Sequence, residues 1–381
     1  MITNLQLKNF TAFTDLTIEF SPGINIVLGE NGTGKTQLLK AILALSGREA
    51  RGEHAGEQLA HKLCRLYHPF SNQLGELRRT GTRGEALLRA SFATDQEIII
   101  SARFSGSAAV AKVSTDMNGE VAPAIFIPTK EVLSLVRGLT AEAPHLPTIE
   151  RVFDDGYLDL ANQLVEEGQN DLNARVQFDP RFATIVPRLT NLIGGKYLLE
   201  NGCFVFQSGR FVEKHSSARG RSKHAQMYQD STEWKFVASS KKRLSSGMTA
   251  EGFRKIGVLQ RLLSNGSLNP GATGPLLWDE PESNLNPKLM KDLVLALLEL
   301  ARNGQQVILA THDYVLLKWF DLLMDRGKGD HVIFHRLYRE AGSDDIQRES
   351  QGDYNIVGRS AISNTFAELY DEDVKRALGS D

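Results

Sequence analysis

The sequence predicts an α/β fold, and three stretches carry that expectation. VLGENGTGKTQLLKAIL, from Val27 to Leu43, joins an apolar strand to a helical repeat through a glycine-rich loop. PLLWDEPESNLNP, Pro275 to Pro287, and QQVILATHDYVLL, Gln305 to Leu317, each run an apolar strand into polar residues. Apolar strands alternating with helical stretches are the mark of that class.

Taken in order, Leu5 and Leu7, then Leu16, Ile18 and Phe20, then Ile24, Ile26 and Leu28 alternate as short strands do, with Ser21-Pro22-Gly23 as a turn. Leu38, Leu39, Ala41, Ile42 and Leu45 then recur at helical spacing until Ser46-Gly47 stops them. Further strands are expected at Ala86 to Phe92 and Glu97 to Phe104, and a buried one in APAIFIP, which leads at Pro128 into the polar turn TKE. The stretch from about Arg151 to Gly194 reads mainly helical, and KYLLENGCFVFQ reads as a hairpin.

The 381 residues leave room for one large or two medium domains with a sizeable core, and 41% hydrophobic against 24% charged residues is ordinary for a globular protein. A net charge of -2 means that any attraction to nucleic acid must come from a local patch. One exists between Ser208 and Arg243, where nine Lys or Arg face three acids with Tyr228 and Trp234 interleaved; from Glu340 to Asp381 ten acids face four bases. Cys64 and Cys203 stand apart, which disfavours disulfide frameworks and zinc sites and suits a reducing cytoplasmic setting. No signal-peptide pattern, membrane-length apolar run, internal repeat or sustained heptad is found in the sequence, so no membrane partner is expected.

Four motifs carry chemistry. Gly29-Glu30-Asn31-Gly32-Thr33-Gly34-Lys35-Thr36 fits G-x-x-x-x-G-K-[ST], in which backbone N–H groups cradle phosphates and side chains at the glycines would block the approach. Lys35 is expected to reach the β and γ phosphates of a nucleoside triphosphate and Thr36 to bind Mg²⁺, with the cradle formed by Gly29, Asn31, Gly32, Thr33, Gly34 and Gln37 at a helix N-terminus. Asp279-Glu280 delivers two carboxylates at a strand end: Asp279 for the metal, Glu280 as general base. His312, ending the next apolar strand, is placed to contact the γ-phosphate. Leu244-Ser245-Ser246-Gly247-Met248 precedes a helical stretch, Glu251 to Leu263, and offers Ser245, Ser246 and Gly247 as an anion nest. Alone, the carboxylate pair would be a solvated strand end and the LSSGM stretch a helix cap; the phosphate loop gives both a role.

The order of phosphate loop, LSSGM, Asp-Glu-Pro, SNLN and switch histidine resembles the ABC-type ATPases. The opening ITNLQLKNFTAFTDLTIEFSPGINIVLGENGTGKT and DEPESNLNP are similar to the RecF, SMC and OLD-like branch, over Met1 to about Gly47 and about Lys241 to Leu337. The resemblance implies a two-lobed P-loop ABC-type ATPase head with a mainly helical insert: residues 1–150 as the N-terminal lobe, 151–240 as a helical and basic insert, 241–381 as the C-terminal lobe with an acidic tail. It also implies ATP and Mg²⁺ as cofactors and a head-to-tail homodimer or higher homo-oligomer, with Ser246 and Gly247 acting on the partner's nucleotide. Ser246 and Met248 stand where many members have glycine and glutamine, and Asn286 where aspartate or histidine is common. No glutamine fills the Mg-contacting role; Gln73 and the Lys130-Glu131 turn are the candidates.

Three functional classes follow. The chain resembles sensor ATPases of bacterial anti-phage defence, paired with a separate effector nuclease or toxin, because about 69 residues after His312 are too few for a fused nuclease. A RecF-like DNA-repair ATPase contacting duplex DNA through 208–243 is the alternative, and a transporter nucleotide-binding subunit a third. Against the last, 209 positions separate Lys35 from Leu244, more than a compact transporter cassette holds.

Overall fold

In the computed structural model the residues described are 1–116, 119–140, 146–166, 180–214, 233–269, 271–340, 342–355, 357 and 361–378. They form two units: Met1–Lys130 with Glu142–Leu160 and Pro270–Asp381, and Glu131–Ala141 with Ala161–Asn269. The chain enters the second unit twice, so the units do not follow the linear segments expected from sequence.

The first unit holds two sheets. One is antiparallel, in the order β2 (Phe13–Glu19), β1 (Ile2–Phe10), β4 (Ala86–Ala93), β5 (Glu97–Phe104), β6 (Lys112–Thr115). The other runs β14 (Ile346–Gln351), β13 (Val332–Arg339), β3 (Ile24–Gly29), β12 (Val307–Thr311), β11 (Leu276–Asp279), β7 (Ile125–Ile127), parallel except for β14. Its inner strands are continuous apolar runs because a parallel sheet is covered on both faces; β3, β11 and β12 are buried at every residue. The helix Lys35–Ser46 shares one core with both sheets, a cluster that takes in Leu5 and Leu7 as well as Val27, Leu277 and Ile308. Its apolar residues therefore surround it rather than forming a single stripe.

The second unit pairs helices Pro180–Ile193 and Glu251–Asn265 with a three-stranded antiparallel sheet, β8 (Gly195–Glu200), β9 (Cys203–Lys214) and β10 (Glu233–Ser245). Asn201 and Gly202, both at positive φ (51° and 72°), make the hairpin turn, as Asn-Gly pairs do. The stretch after Ile193 is thus sheet where described, and the middle of the basic segment, 215–232, lies outside the described residues. Gln260 ties sheet to helices by accepting from Tyr197 N (3.1 Å) and donating to Thr190 Oγ1 (2.6 Å). No described helix is long and apolar enough to cross a membrane.

Candidate nucleotide-binding site

The site begins where β3 ends. Gly29 lies against β13 so closely that a Cβ there would sit 2.5 Å from the Leu337 carbonyl oxygen. Gly34, at φ +87°, would drive a Cβ to 2.6 Å from the Phe13 ring. Gly32 is also left-handed but faces open space, at the exposed mouth beside Asn31. The loop is pinned by Thr33 Oγ1 donating to Glu30 O (2.8 Å) and by Arg339 Nη2, from the end of β13, donating to Gly32 O (2.9 Å). Lys35 curls back into this loop: its Nζ donates to Gly29 O (2.7 Å) and Glu30 O (3.0 Å). Burial lowers its pKa, opposed by the carboxylates of Glu280, Asp279 and Glu282. Gln37 Oε1 is turned away, accepting from the Ala12 N–H (3.2 Å).

Parallel register brings the carboxylates to the loop. Asp279 Oδ2 accepts from Thr36 Oγ1 and from Thr129 Oγ1, both at 2.9 Å. Burial raises the Asp279 pKa, and the two hydroxyl bonds oppose that rise. Its Oδ1 is buried with no hydrogen-bond partner among the described residues. A buried acceptor left open beside a threonine hydroxyl fits a hard divalent cation, which takes few protein ligands and completes its shell with phosphate and water. The N–H groups of the first turn from Lys35, having no intrahelical acceptor, fit an anion. The residues present therefore fit Mg²⁺ and a polyphosphate.

Glu280 follows at φ +46°, a strained left-handed conformation for a non-glycine residue, held by its N–H to Ala310 O (2.8 Å). Its Oε1 meets His312 Nδ1 at 3.0 Å, with both side chains partly exposed. The histidine's turn is fixed from below: Thr311 Oγ1 donates to Glu282 Oε1 (2.6 Å) and accepts from Asp313 N (3.0 Å). Thr129, Glu282, Thr311 and Arg339 were not singled out by sequence reasoning. The nearest signal for Thr129 was the TKE turn, whose Lys130-Glu131 had been the candidates. Glu131 is instead buried in the second unit, paired with Arg254 Nε (2.9 Å), and Gln73 precedes a short turn at Leu74–Leu77 without a side-chain bond to it. Asn286 has a structural duty, since its side chain caps the helix Pro287–Arg302 by accepting from Lys288 N (3.0 Å).

The LSSGM stretch lies in the second unit. Ser245 and Gly247 are exposed, whereas Ser246 is buried, with its Oγ donating to Leu133 O (3.4 Å). The Ser246 carbonyl accepts from Thr249 Oγ1 (2.7 Å) and Arg254 Nη1 (3.3 Å), and Thr249 is bonded in turn to Tyr197 OH (2.7 Å). Arg254, anchored by Glu131, thus holds the turn at the start of the helix Glu251–Asn265.

Residues 4–109 match a family described as AAA domain, and residues 143–318 one described as AAA domain, putative AbiEii toxin, Type IV TA system. The chain is 36% identical over 123 residues, 30% of its length and 32% of the relative's, to the DNA replication and repair protein RecF of Symbiobacterium thermophilum. It is 46% identical over 46 residues, 12% of each chain, to RecF of Limosilactobacillus reuteri (strain DSM 20016). The matched parts span about a third or less of these relatives. Among solved structures, an Smc head bound to the C-winged helix domain of ScpA aligns over 92% of this chain and 97% of that one, at 15% identity and TM-score 0.49.

Proposed function

We propose that the chain is an ABC-type ATPase of the RecF/SMC-like kind that hydrolyses ATP with Mg²⁺ as a nucleotide switch; the two AAA-domain matches and the partial RecF matches support this reading. The observation that carries this reading is Asp279, with one oxygen held by Thr36 and Thr129 and the other open in a buried site beside the glycine loop. Thr36 and Asp279 would hold the metal, which neutralises charge on the phosphate oxygens when bound. Lys35 exchanges two loop carbonyls for the β and γ phosphates, a cheap exchange because its ammonium is already withdrawn from water. Glu280 takes a proton from the attacking water, and His312, in contact with it, orients that carboxylate and meets the γ-phosphate side.

Ser245 and Gly247, both exposed, act on the nucleotide of a second copy, closing a head-to-tail homodimer, whereas Ser246 is buried with its hydroxyl turned to Leu133 O and holds the turn rather than reaching across. The Arg254 and Tyr197 bonds support this by fixing the turn before it meets a phosphate. The dimer controls a separate effector, a nuclease or toxin, in antiviral defence; the match to a family described as a putative toxin of a Type IV TA system supports a two-component setting. The RecF matches favour a second reading, DNA repair with duplex contact through 208–243. Arg210, Lys235, Lys241 and Lys242 on β9 and β10 are exposed for it.

The test is Mg²⁺-dependent ATP hydrolysis by the wild type, Lys35→Ala and Glu280→Gln, with and without duplex DNA at low salt. Hydrolysis lost in both variants, with Glu280→Gln still binding ATP and collecting as a dimer on a sizing column, is expected. Unchanged hydrolysis in Glu280→Gln would sink the mechanism. Strong DNA stimulation would select the repair reading.

A further inference from the structure

Glu282 is a buried carboxyl with no part in the chemistry described above, and it stands two residues past the proposed general base. Only 7% of it is exposed. Its Oε1 accepts from Thr311 Oγ1 (2.6 Å), a residue with no exposure, while its Oε2 is buried with no hydrogen-bond partner among the described residues. An orphaned buried oxygen costs stability, so packing alone gives no reason for a carboxyl at this position. The cost falls beside a second one. Glu280 is held left-handed at φ +46°, a strain that persists only where the surroundings over-determine the residue.

The bonds around Glu282 supply that determination. Glu280 gives its N–H to Ala310 O (2.8 Å) and accepts the Ser283 N–H on its carbonyl (3.1 Å), which closes a turn with Glu282 inside it. From that turn Ser283 Oγ donates to the carbonyl of Thr129 (3.2 Å), whose hydroxyl bonds Asp279, and Glu282 reaches the other way to Thr311. Thr311 has one hydroxyl proton. Given to Glu282, it leaves a lone pair for the Asp313 N–H (3.0 Å), so one hydroxyl, aimed by the carboxyl, sets the backbone on both sides of His312. The His312 side chain is 46% exposed, so packing alone does not hold its Nδ1 at 3.0 Å from Glu280 Oε1. We propose, on the ATPase reading above, that Glu282 is a positioning residue for hydrolysis, acting through Thr311 to hold His312 against Glu280. It is not a second base, because one oxygen is taken by Thr311 and the other is enclosed by protein.

The test compares Glu282→Ala, Thr311→Val, the double variant and Glu282→Gln in the full chain, with circular dichroism to confirm the fold. Glu282→Ala and Thr311→Val break the same bond from its two ends. Each should lower kcat for ATP roughly tenfold or more, the effect of a misplaced reacting group, with KM within about twofold of wild type. The double variant should fall no further than the single ones, since both act on one path. Glu282→Gln keeps an acceptor for Thr311 and should restore most of kcat. A second reading does not depend on hydrolysis: in protein carrying isotope-labelled histidine, the His312 resonance, assigned by its loss in His312→Gln, should be displaced in Glu282→Ala and Thr311→Val and return in Glu282→Gln. Wild-type kcat in either single variant, a loss confined to KM, an additive double variant, or Glu282→Gln as slow as Glu282→Ala overturns the proposal. Absence of hydrolysis by the wild type would overturn the ATPase reading instead; the His312 resonance then decides the positioning by itself, upheld if both variants displace it and overturned if neither does.

Discussion

Replacing His335 by glutamine should remove about 2 kcal/mol of acid sensitivity between pH 7 and pH 5. His335 lies on β13 with no solvent exposure. Its Nε2 faces Asn25 Oδ1 at 3.2 Å and its Nδ1 faces Ser350 Oγ at 2.8 Å. Asn25 can only accept at that oxygen, so Nε2 carries the proton and Nδ1 accepts from the serine hydroxyl, which leaves the ring neutral. Burial, and secondarily the positive charge of Arg348, push its pKa down to about 3 from 6.5. A depressed histidine pKa means that the unfolded chain binds the proton first. Stability from this group is therefore complete above pH 6.5, is lost as pH falls from there, and bottoms out near pH 3. At about 1.4 kcal/mol per pH unit below 6.5, the loss is about 2 kcal/mol at pH 5 and about 5 kcal/mol at the acid limit. Buried Asp279, Glu282 and Asp159, with raised pKa values, act in the opposite direction, so the comparison must be between proteins rather than between pH values alone. Urea unfolding of wild type and His335→Gln at both pH values isolates the histidine. Equal losses in the two proteins would refute the reasoning and mean that the ring is solvated or charged in the folded state.

Three further outcomes follow. Thr129→Val removes one of two bonds to Asp279, worth about 1–3 kcal/mol; Mg²⁺ dependence of fluorescent-nucleotide binding should weaken roughly tenfold and its acid limb move to higher pH, while Thr129→Ser is spared. Arg254→Ala removes the charge partner of the buried Glu131, leaving its carboxylate only the Ser134 N–H and hydroxyl, and should cost about 3 kcal/mol by urea titration, with part restored when Glu131→Gln is added. Gly34→Ala combines a left-handed backbone with a clash on the Phe13 ring, so nucleotide affinity should fall at least roughly tenfold with circular dichroism unchanged; a wild-type affinity would show that the loop relaxes freely.

Much of the first unit was legible because its signals are local. Alternation marked β1 to β3, apolar runs marked β7, β11 and β12, β4 and β5 were also expected, and helical spacing marked Lys35–Ser46 from Leu38 onward and, in the second unit, Glu251–Asn265 within two residues at each end. The strands β13 and β14 were not separated from the tail, because VIFHRLYR carries His335 on one face and Arg336 on the other, breaking both apolar rows, and β14 is largely polar. The long strand β10 hid for the same reason: KKR and Ser239-Ser240 on an exposed strand read as a basic loop.

The glycine-rich loop, the identity of the strand-end residues and the α/β class could be read from neighbours a few positions apart. What those residues touch is set by the fold. Pairing of Asp279 with Ala310 across β11 and β12 sets Glu280 beside His312. Pairing of Trp278 with Ile127 across β11 and β7 brings Thr129 to Asp279 from 150 positions away. The physical reason lies in the sheet itself: the backbone ladder would accept other registers, and a fully apolar strand has no polar face to prefer one, so register is fixed by packing against distant elements.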